Sequence, residues 1–383
     1  MFRTPLALTI CSRSISSTPI TFASFAAVPI KSSIRHKSTM ASIVKGVQST
    51  ISQNLGGVGH NLAPADAQFS LDDVPDQGGK VAVVTGGSEG IGLACVRTLL
   101  SKNISKIFVL SLSKEVVENA KADLANDLGQ DKAGRVVWIQ GDLADWKRVT
   151  EVAQQIRDST DKLHILLNNA ARGIMTHQLS DNGVDLHMAI NHFGHVTLTS
   201  HLLPLLKKTA ESTTVRISTM ASNAHQNAPK DTKFESLDEL NTDLGAVAQY
   251  GRAKLANLLY ARYLARHLTP AHPNILSNTT HPGIVETKQT ENDIHEAFPV
   301  AGYAMSVGAR ALRKSPLEGC HSMMYAATMC EKSGMYICPP AAFESGSDLA
   351  QDEELGERLM KLTRQIVSEK TDATQQGCPM KDY

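Results

Sequence analysis

Short apolar runs alternate with longer amphipathic segments over most of the chain. Each run is rich in β-branched and aliphatic residues and is too short for a helix, which is typical of strands buried on both faces of a parallel sheet. The segments between the runs place hydrophobic residues at helical spacing. The pattern predicts strands at residues 80–85, 107–112, 135–140, 164–167, 214–220 and 275–280.

Helices are predicted to follow these strands, and a last amphipathic helix carries Leu355, Leu359, Leu362 and Ile366 on one face. The other helices are expected at residues 93–100, from the second strand to 128, and at 145–157, 184–206 and 250–267. This alternation predicts an α/β fold with helices on both faces of one parallel sheet. Ligands bind such sheets beyond the carboxyl ends of the strands, so polar clusters at those ends are candidate sites.

Composition narrows the classes of partner. The 383 residues include 38 basic and 38 acidic side chains, and this zero net charge gives no reason to expect binding to nucleic acid or to an anionic membrane surface. The hydrophobic content of 42% is that of a globular protein, and no apolar run is long enough for a transmembrane helix. The six cysteines form no C-x-x-C pair, which argues against a zinc knuckle or a disulfide scaffold and suits a reducing compartment.

The start of the chain differs from the rest, because no acidic residue precedes Asp66. Basic residues, Ser and Thr are common there, a composition typical of a mitochondrial transit peptide. The alternatives are a disordered tail, or translation that begins at Met40 and gives a cytoplasmic protein. Residues 1–75 are predicted to be a targeting or disordered extension with a linker at 56–75, residues 76–370 a single folded domain, and residues 371–383 a frayed tail.

The first predicted strand runs into the segment TGGSEGIG, which opens a helix. Its glycines permit a tight turn and let backbone N–H groups approach a pyrophosphate at the positive end of the helix. The spacing is G-x-x-x-G-x-G, and the alternative is a structural turn with incidental glycines. The strand–turn–helix context favours nucleotide binding, and the turn residues predicted to contact the cofactor are Gly86, Ser88, Glu89, Gly90, Ile91 and Gly92.

The ends of the second and third strands bear on the choice of cofactor. An acid after the second strand would bind both ribose hydroxyls and select NAD, but Ser113 and Lys114 lie there instead. These two residues tolerate a 2′-phosphate, so NADP(H) is favoured over NAD(H), although the charge of Glu89 is unfavourable for it. After the third strand, Asp142, which precedes Leu143, is predicted to accept from the adenine amino group; the alternative is a helix N-cap.

Tyr250 and Lys254 are the candidate catalytic pair, because a spacing of four on a helix places both on one face. A cation close to a phenol lowers the phenol pKa from about 10 toward neutral, so Tyr250 can exchange a proton at working pH. Ser222, after the fifth strand, is a candidate to hold a substrate carbonyl. Asn191 lies inside a predicted helix, where asparagine is unfavourable. The alternatives are a surface helix pair, a solvated loop serine and a satisfied core amide.

Three histidines on the predicted helix 184–206 are candidate metal ligands: His187, His192 and His195. No matching pattern of acids or cysteines accompanies them. They are therefore predicted to be core or surface histidines, and no metal site is predicted.

Taken in their order along the chain, these motifs resemble those of the short-chain dehydrogenase/reductase family. The resemblance covers residues 78–345. The segments INHFGHVTLTSHLL, YGRAKLANLL and HPGIVET look most like the retinol-dehydrogenase-like branch. The resemblance implies a three-layer, Rossmann-type, doubly wound parallel sheet, a nicotinamide cofactor and an Asn–Ser–Tyr–Lys tetrad. Matching positions would make Tyr250 the general acid/base, with Lys254 lowering its pKa and holding the nicotinamide ribose, Ser222 orienting the substrate and Asn191 holding a water of a proton relay.

The remaining positions that match the family's cofactor motifs are Asn168 and Ala170 on the adenosine side, and Pro282, Gly283, Val285 and Thr287 beside the nicotinamide. The chain departs from the pattern where Ala171 replaces the usual glycine and where Glu89 stands among small or basic residues. After the fifth strand, Ser218 is a rival to Ser222 for the catalytic serine.

By this resemblance, the protein is expected to transfer a hydride between the cofactor and a lipophilic alcohol, ketone or aldehyde. Residues 288–306 are expected to form a mobile substrate flap. A homo-dimer or homo-tetramer is expected, built through the helices that follow the fourth and fifth strands. Two alternatives stay open: a catalytically inactive nucleotide-binding regulator on the same fold, and a sugar-nucleotide epimerase or dehydratase.

Overall fold

One eight-stranded sheet lies at the centre of the protein. The computed structural model describes residues 40–57, 59–285 and 313–370. The strand order is β3-β2-β1-β4-β5-β6-β7-β8, and every neighbouring pair is parallel except β7 with β8. The strands are β1 Val81–Thr85, β2 Lys106–Ser111, β3 Val136–Gln140, β4 Ile165–Asn168, β5 Val215–Met220, β6 Ile275–Thr280, β7 Tyr336–Cys338 and β8 Ala342–Glu344.

The sheet is doubly wound, as predicted. The chain moves outward from β1 through β2 to β3, then returns to β4 on the other side of β1 and continues outward to β8. The order reverses between β1 and β4, and a crevice beyond the carboxyl ends of these strands is where such sheets bind ligands. Strands β1, β4 and β6 are buried along their whole length, because helices cover both faces of the sheet.

Helices form the two outer layers, and each layer closes its own hydrophobic core. One core joins Trp146, Phe193 and Leu259, and the other joins Val96, Leu99 and Met323. The helices are α1 Met40–Asn54, α2 Gly90–Ser101, α3 Lys114–Leu128, α4 Gln130–Ala133, α5 Trp146–Ser159, α6 Leu186–Met188, α7 His195–Ala210, α8 Leu237–Asn241, α9 Ala246–His267, α10 Pro316–Gly319, α11 His321–Thr328, α12 Asp348–Gln351 and α13 Glu353–Lys370.

The helix predicted at 184–206 is not continuous. A six-residue π-helical segment, Ala189–Gly194, separates α6 from α7. Its end packs closely on the loop after β3, since a Cβ on Gly194 would lie 2.3 Å from the carbonyl oxygen of Leu143. Wide helical turns of this kind occur frequently at functional sites.

The assignment of residues 56–75 to a linker outside the fold needs correction. Beyond α1, the chain forms short 3₁₀ turns at His60–Leu62, Ala65–Ala67 and Leu71–Asp73. Ala67, Phe69 and Val74 are buried in the hydrophobic cores. The Gly- and Pro-rich composition of this segment is typical of a linker. Its buried apolar residues are too widely spaced to show a helix or strand period, so their burial could not be predicted.

Two further observations concern the described residues as a set. None of their helices combines the length and the apolar character that crossing a bilayer requires. Nor do three or more of their His, Cys, Asp or Glu side chains come together in a group that could hold a metal ion. Four described cysteines, Cys95, Cys320, Cys330 and Cys338, are buried and not disulfide-bonded.

Candidate active site

The glycine-rich turn between β1 and α2 has the shape that a phosphate cradle needs. Gly86 and Gly90 adopt φ of +63° and +54°, a region that side chains with a Cβ rarely occupy. A Cβ on Gly92 would lie 2.1 Å from the carbonyl oxygen of Gly86, so this position admits only glycine. The backbone of α2 therefore approaches the turn without an intervening side chain.

The first turn of α2 leaves its backbone N–H groups open to a ligand. Glu89 is the N-cap residue, but its side chain makes no capping hydrogen bond and is exposed. The N–H groups at the start of a helix have no intrahelical partner and carry its partial positive charge. Together with the glycine cradle, this arrangement fits the pyrophosphate of a dinucleotide.

The residues that bear on cofactor choice lie at the carboxyl end of β2. Ser88 and Ser111 are buried and share a hydrogen bond of 2.5 Å between their hydroxyl oxygens, which ties the glycine turn to β2. Ser113 caps α3 by accepting from the backbone N–H of Val116, and Lys114 is the first residue of that helix. Both Ser113 and Lys114 are exposed, so they are accessible to a ligand beyond β2.

Asp142 has a local partner, but it does not cap a helix. Its Oδ1 accepts from the backbone N–H of Ala144 at 2.8 Å, and Asp145 is the residue that caps α5. The half-buried Asp142 carboxylate thus shapes the loop after β3, and contact with adenine stays a prediction. Leu143 is buried beneath it against Gly194.

Asn168 points into the protein. Its side chain is fully buried, and its Nδ2 donates to the hydroxyl oxygens of Thr199 and Thr219 at 3.1 and 3.4 Å. The side chain therefore braces β4 against β5 and α7, and its predicted place on the adenosine side stays untested. Ala170, by contrast, lies at the cradle: a Cβ added to Gly86 would be 3.0 Å from the Cβ of Ala170.

The side chain of Asn191 is held in the π-helical segment by two reciprocal hydrogen bonds. Its Oδ1 accepts from the backbone N–H of Arg172 at 2.8 Å, and its Nδ2 donates to the Arg172 carbonyl at 3.0 Å. The residue is fully buried. Its amide thereby fixes the loop after β4 onto the helix layer, and what it can offer to a water is its backbone carbonyl.

Tyr250 and Lys254 lie on α9, as the spacing predicts. The Lys254 Nζ is 5.5 Å from the centre of the Tyr250 ring and donates to the carbonyl of Met220, the last residue of β5, at 3.2 Å. Lys254 is 1% exposed, and burial lowers its pKa to about 7 because the charged form loses its hydration. Tyr250 is half-buried, so its ring is accessible from one side.

Ser222 lies just beyond the carboxyl end of β5. It begins the 3₁₀ turn Asn223–Asn227, where its hydroxyl oxygen accepts from the N–H of Ala224 at 3.1 Å, and it is half-buried. This turn packs against α9 at Gly251, where a Cβ would be 2.8 Å from the Ala224 carbonyl oxygen. Its rival Ser218 lies inside β5 and is fully buried, out of reach of a substrate.

Comparison with known proteins agrees with this geometry. A family model described as short chain dehydrogenase matches residues 80–229. The chain is 53% identical over 344 residues to the oxidoreductase bli-4, named mitochondrial, of Neurospora crassa; the match covers 88% of this chain and 83% of that protein. This chain belongs to the short-chain dehydrogenase/reductase family. It is thus an oxidoreductase that uses a nicotinamide cofactor, and both the predicted family and the Rossmann-type fold are confirmed.

Two further relatives extend the comparison. The polyprenol dehydrogenase of Danio rerio is 31% identical to this dehydrogenase, with 78% of this chain and 90% of the relative covered. The solved active-site complex of Pseudomonas aeruginosa RhlG with NADP superposes with a TM-score of 0.52 at 25% identity. That match covers 68% of this chain and 95% of the solved chain.

The dehydrogenase carries a buried polar link that sequence reasoning missed. The Thr85 hydroxyl lies 2.9 Å from His195 Nε2, and His195 Nδ1 lies 3.1 Å from the carbonyl oxygen of Asn191. Burial lowers the His195 pKa to about 4, so the ring is neutral, with Nδ1 donating and Nε2 accepting. Thr85 also accepts from the N–H groups of Asn169 and Ala170. The link joins the glycine turn to the Asn191 segment.

The side chain of Asn169 makes a second set of contacts that sequence reasoning missed. Its Nδ2 donates to the Thr85 carbonyl at 2.9 Å and to the Gly86 carbonyl at 3.4 Å. The same nitrogen would lie 2.6 Å from a Cβ on Gly92. Asn169, immediately after Asn168, therefore supports the cradle directly, while Asn168 supports the sheet.

A polar cluster lies behind Tyr250. Gln249 Nε2 donates to the buried carboxylate of Asp185 at 2.8 Å and to His177 Nδ1 at 2.7 Å. The ring of His187, which is fully buried, meets the ring of Tyr250 edge-on with centroids 6.3 Å apart. These contacts fix Gln249, the residue that precedes Tyr250, and place the ring of His187 on α6 against the Tyr250 ring.

The loop after β6 completes the described part of the site. Gly283 adopts φ of +84°, and Val285 forms a single parallel bridge with Lys314. Pro282 is half-buried at the end of β6. Thr287 and the predicted flap at 288–306 lie outside the described residues.

Proposed function

We propose that this enzyme prefers NADP(H) and interconverts lipophilic alcohols with ketones or aldehydes, with Tyr250 as the general acid/base. The observation that carries the proposal is the buried Lys254 ammonium on the same helix face as the half-buried Tyr250 ring, beside the end of β5. The name of the zebrafish relative, a polyprenol dehydrogenase, supports a lipophilic alcohol as the substrate class.

The glycine cradle, Ser113 and Lys114 would hold the cofactor through its phosphates, and Lys254 would hold its ribose. When bound, the nicotinamide ring supplies or accepts the hydride. The cradle supports this assignment, since the backbone turn has no space for a Cβ at Gly92.

The chain's own residues manage the proton. In reduction, the Tyr250 hydroxyl donates a proton to the carbonyl oxygen, and in oxidation the phenolate accepts one from the alcohol. The Lys254 ammonium stabilises the phenolate, and its attraction is weakly screened because the lysine is buried. Ser222 donates a hydrogen bond to the substrate oxygen and so orients it beside Tyr250.

Asn191 is proposed to hold a water of the relay that returns a proton to Tyr250. Its side-chain amide is engaged with the backbone of Arg172, so the water would donate a hydrogen bond to the backbone carbonyl of Asn191. That carbonyl oxygen already lies 3.1 Å from His195 Nδ1, and a carbonyl oxygen has two lone pairs, so the water would use the second.

Tyr250→Phe tests the acid/base assignment. We expect turnover to fall by at least about a hundredfold, the range of general acid–base catalysis, with the NADPH dissociation constant nearly unchanged. The matched control is Tyr263→Phe, which removes a hydroxyl from the same helix where it bonds Arg364 instead. Turnover that survives Tyr250→Phe would refute the assignment.

The wild type also decides between this function and the two alternatives. A wild type that binds NADPH but converts no alcohol or carbonyl would favour the inactive regulator. Tight binding of a uridine nucleotide would favour the epimerase or dehydratase.

Ser113→Asp tests the cofactor preference. Aspartate also caps a helix, so α3 is retained, while its carboxylate repels a 2′-phosphate and accepts from ribose hydroxyls. Fluorescence titration should show tighter NADPH than NADH binding in the wild type, and a preference shifted toward NADH by about tenfold or more in the variant. Tighter NADH binding by the wild type would overturn the proposed roles of Ser113 and Lys114.

We also propose that the enzyme is imported into mitochondria. The acid-free, basic composition before Asp66 and the naming of the Neurospora relative as mitochondrial support this location. The test is N-terminal sequencing of the protein from fractionated cells, in which an intact Met1 in the cytoplasmic fraction would contradict import. Assembly into a dimer or tetramer is a proposal from the family resemblance.

A further inference from the structure

The carboxyl end of α1 lies against two loops: the turn after β5, which carries Ser222, and the loop after β6, which the family resemblance places beside the nicotinamide. Asn223, which follows Ser222, donates from Nδ2 to the Asn54 side-chain oxygen at 3.0 Å. The backbone carbonyl of Asn54 accepts from the N–H of Ile284 at 3.4 Å. One residue of α1 thus bridges the turn after β5 and the loop after β6.

A second contact brings the same helix end onto Gly283. A Cβ on Gly283 would lie 2.5 Å from the Gln53 carbonyl oxygen and 2.7 Å from Cε of Lys314. The loop after β6 therefore packs directly on the backbone of α1, and the absent side chain of Gly283 makes this approach possible.

Lys314 secures the helix in this place. Its side chain is fully buried, and its Nζ donates to the carbonyl of Ser52 at 2.7 Å. The last carbonyls of a helix have no intrahelical partner and carry its partial negative charge, so a cation there is stabilising. Because the lysine stem also covers Gly283, one residue holds both α1 and the loop after β6.

The residues that follow α1 also contact the residues on either side of Lys314 in the chain. A Cβ on Gly56 would be 2.6 Å from the Arg313 carbonyl oxygen, and the N–H of Gly57 donates to the Glu318 carboxylate at 2.6 Å. The chain between α1 and the first 3₁₀ turn is therefore fixed to residues 313–318 as well. These contacts are specific and polar, in contrast to a helix that merely covers apolar surface.

We propose that α1 is a wall of the substrate site, with Asn54 as a positioning residue for the Ser222 turn and Lys314 as the residue that holds the helix in place. This inference rests on the proposed function, because the substrate is assumed to bind beside Ser222 and Tyr250. It gives the segment before β1 a role in recognition of the alcohol or carbonyl, separate from the binding of the cofactor phosphates at the glycine cradle.

The kinetic test compares Lys314→Met and Asn54→Ala with Lys45→Met. Lys45 anchors the other end of α1 through an exposed ion pair of 2.7 Å with Asp66, so it is the matched control. We expect KM for the carbonyl substrate to rise about tenfold in Lys314→Met, the size of a lost hydrogen bond to a charged group. Asn54→Ala should raise KM by a smaller factor, and Lys45→Met should leave it unchanged. The NADPH dissociation constant should change less than about threefold in all three.

A purely structural role for α1 predicts a different pattern. Lys314→Met would then lower the melting temperature while KM stayed at the wild-type value, and this result would overturn the proposal. Equal rises in KM for Lys314→Met and Lys45→Met would overturn it too, because they would indicate general loosening of the helix.

Hydrogen exchange supplies a readout that does not depend on turnover. Lys314→Met should speed exchange of the Ile284 amide, while amides of β1 and β2 keep their protection; unchanged exchange at Ile284 would contradict the anchoring role. If the wild type turned over no alcohol or carbonyl, the proposed function would fail on its own, and exchange would still decide whether Lys314 fixes α1 to the loop after β6.

Discussion

At the scale of single residues, Lys254 places a buried amine beside Tyr250, and burial of that amine lowers the stability of the fold. Lys254 is buried with one described hydrogen-bond partner, the Met220 carbonyl, and burial lowers its pKa to about 7. In the unfolded chain the pKa is near 10.5, the ordinary value for lysine. Between these values the unfolded state binds more protons, so stability rises with pH from about 7 to about 10.5. Below pH 7 the folded protein carries the whole penalty.

Lys254→Met should therefore stabilise the protein while it abolishes turnover. Replacing buried ion pairs with apolar side chains of similar volume is often neutral or stabilising by about 1–4 kcal/mol, and Lys254 has no described carboxylate partner whose loss would oppose the gain. We expect a gain of this size in the free energy of unfolding at pH 6, and a smaller gain at pH 9.5, measured by urea denaturation. Lys121→Met, at an exposed ion pair with Glu118, is the control and should gain nothing. A gain that is the same at both pH values would show that Lys254 does not titrate in this range.

Residue pairs close in sequence could be predicted, and distant pairs could not. The Tyr250–Lys254 face follows from helical geometry alone. The link from Thr85 through His195 to Asn191 joins positions on β1 and α7, and no local pattern indicates it. The orientation of Asn168 was also hidden, because it depends on whether that side chain in β4 faces Thr199 or the site.

At the scale of elements, the turn between β1 and α2 depends on the absence of side chains. Gly92→Ala would place a Cβ 2.1 Å from the Gly86 carbonyl oxygen and 2.6 Å from Asn169 Nδ2. Both neighbours belong to the cradle, so the clash must open it. We expect loss of measurable NADPH binding and a destabilisation of about 2 kcal/mol or more, checked by fluorescence titration and thermal unfolding.

A matched substitution separates this clash from the general effect of Gly→Ala. Gly46 lies within α1 with no atom near its Cβ position. Gly46→Ala should leave cofactor binding unchanged and should stabilise the helix by at most about 1 kcal/mol. Normal NADPH binding by Gly92→Ala would disprove the assignment of this turn to the pyrophosphate.

The predicted strands lie within one residue of the observed ones where an apolar run of four residues exists, as in β1 and β2. Strands β7 and β8 have three residues each and show no period, so sequence reasoning missed them. The π-helical segment was missed for another reason. Its apolar spacing resembles that of an α-helix, and the close packing of Gly194 on Leu143 that accompanies it joins residues far apart in sequence.

At the scale of the whole molecule, α13 bears on the predicted assembly. The family resemblance predicts pairing through the helices after β4 and β5, and the second of these is α9. Helix α13 packs on α9 with Leu355, Leu359 and Met360 buried, and His192 bonds Thr363 across the layer at 3.0 Å. Displacing three such apolar side chains would cost about 5 kcal/mol or more.

We therefore expect the proposed dimer or tetramer to pair through surfaces other than the face of α9 that α13 covers, and cross-linking of the particle isolated by gel filtration would locate them. A dimer whose cross-links map to α9 would contradict this expectation and would restore the family interface. Met360→Glu offers a further check, since it should destabilise the single chain by removing the cover of α9 and should expose a surface through which copies associate.

If the protein is imported, the proposed role of α1 as a wall of the substrate site limits where its precursor can be cut. A processing peptidase that cut within residues 40–57 would release the segment that carries Asn54 and receives Lys314. Cleavage ahead of residue 40 keeps it. Translation that began at Met40 would give a polypeptide that still carries Met40–Asn54, so an organellar and a cytosolic form would share the proposed wall of the substrate site.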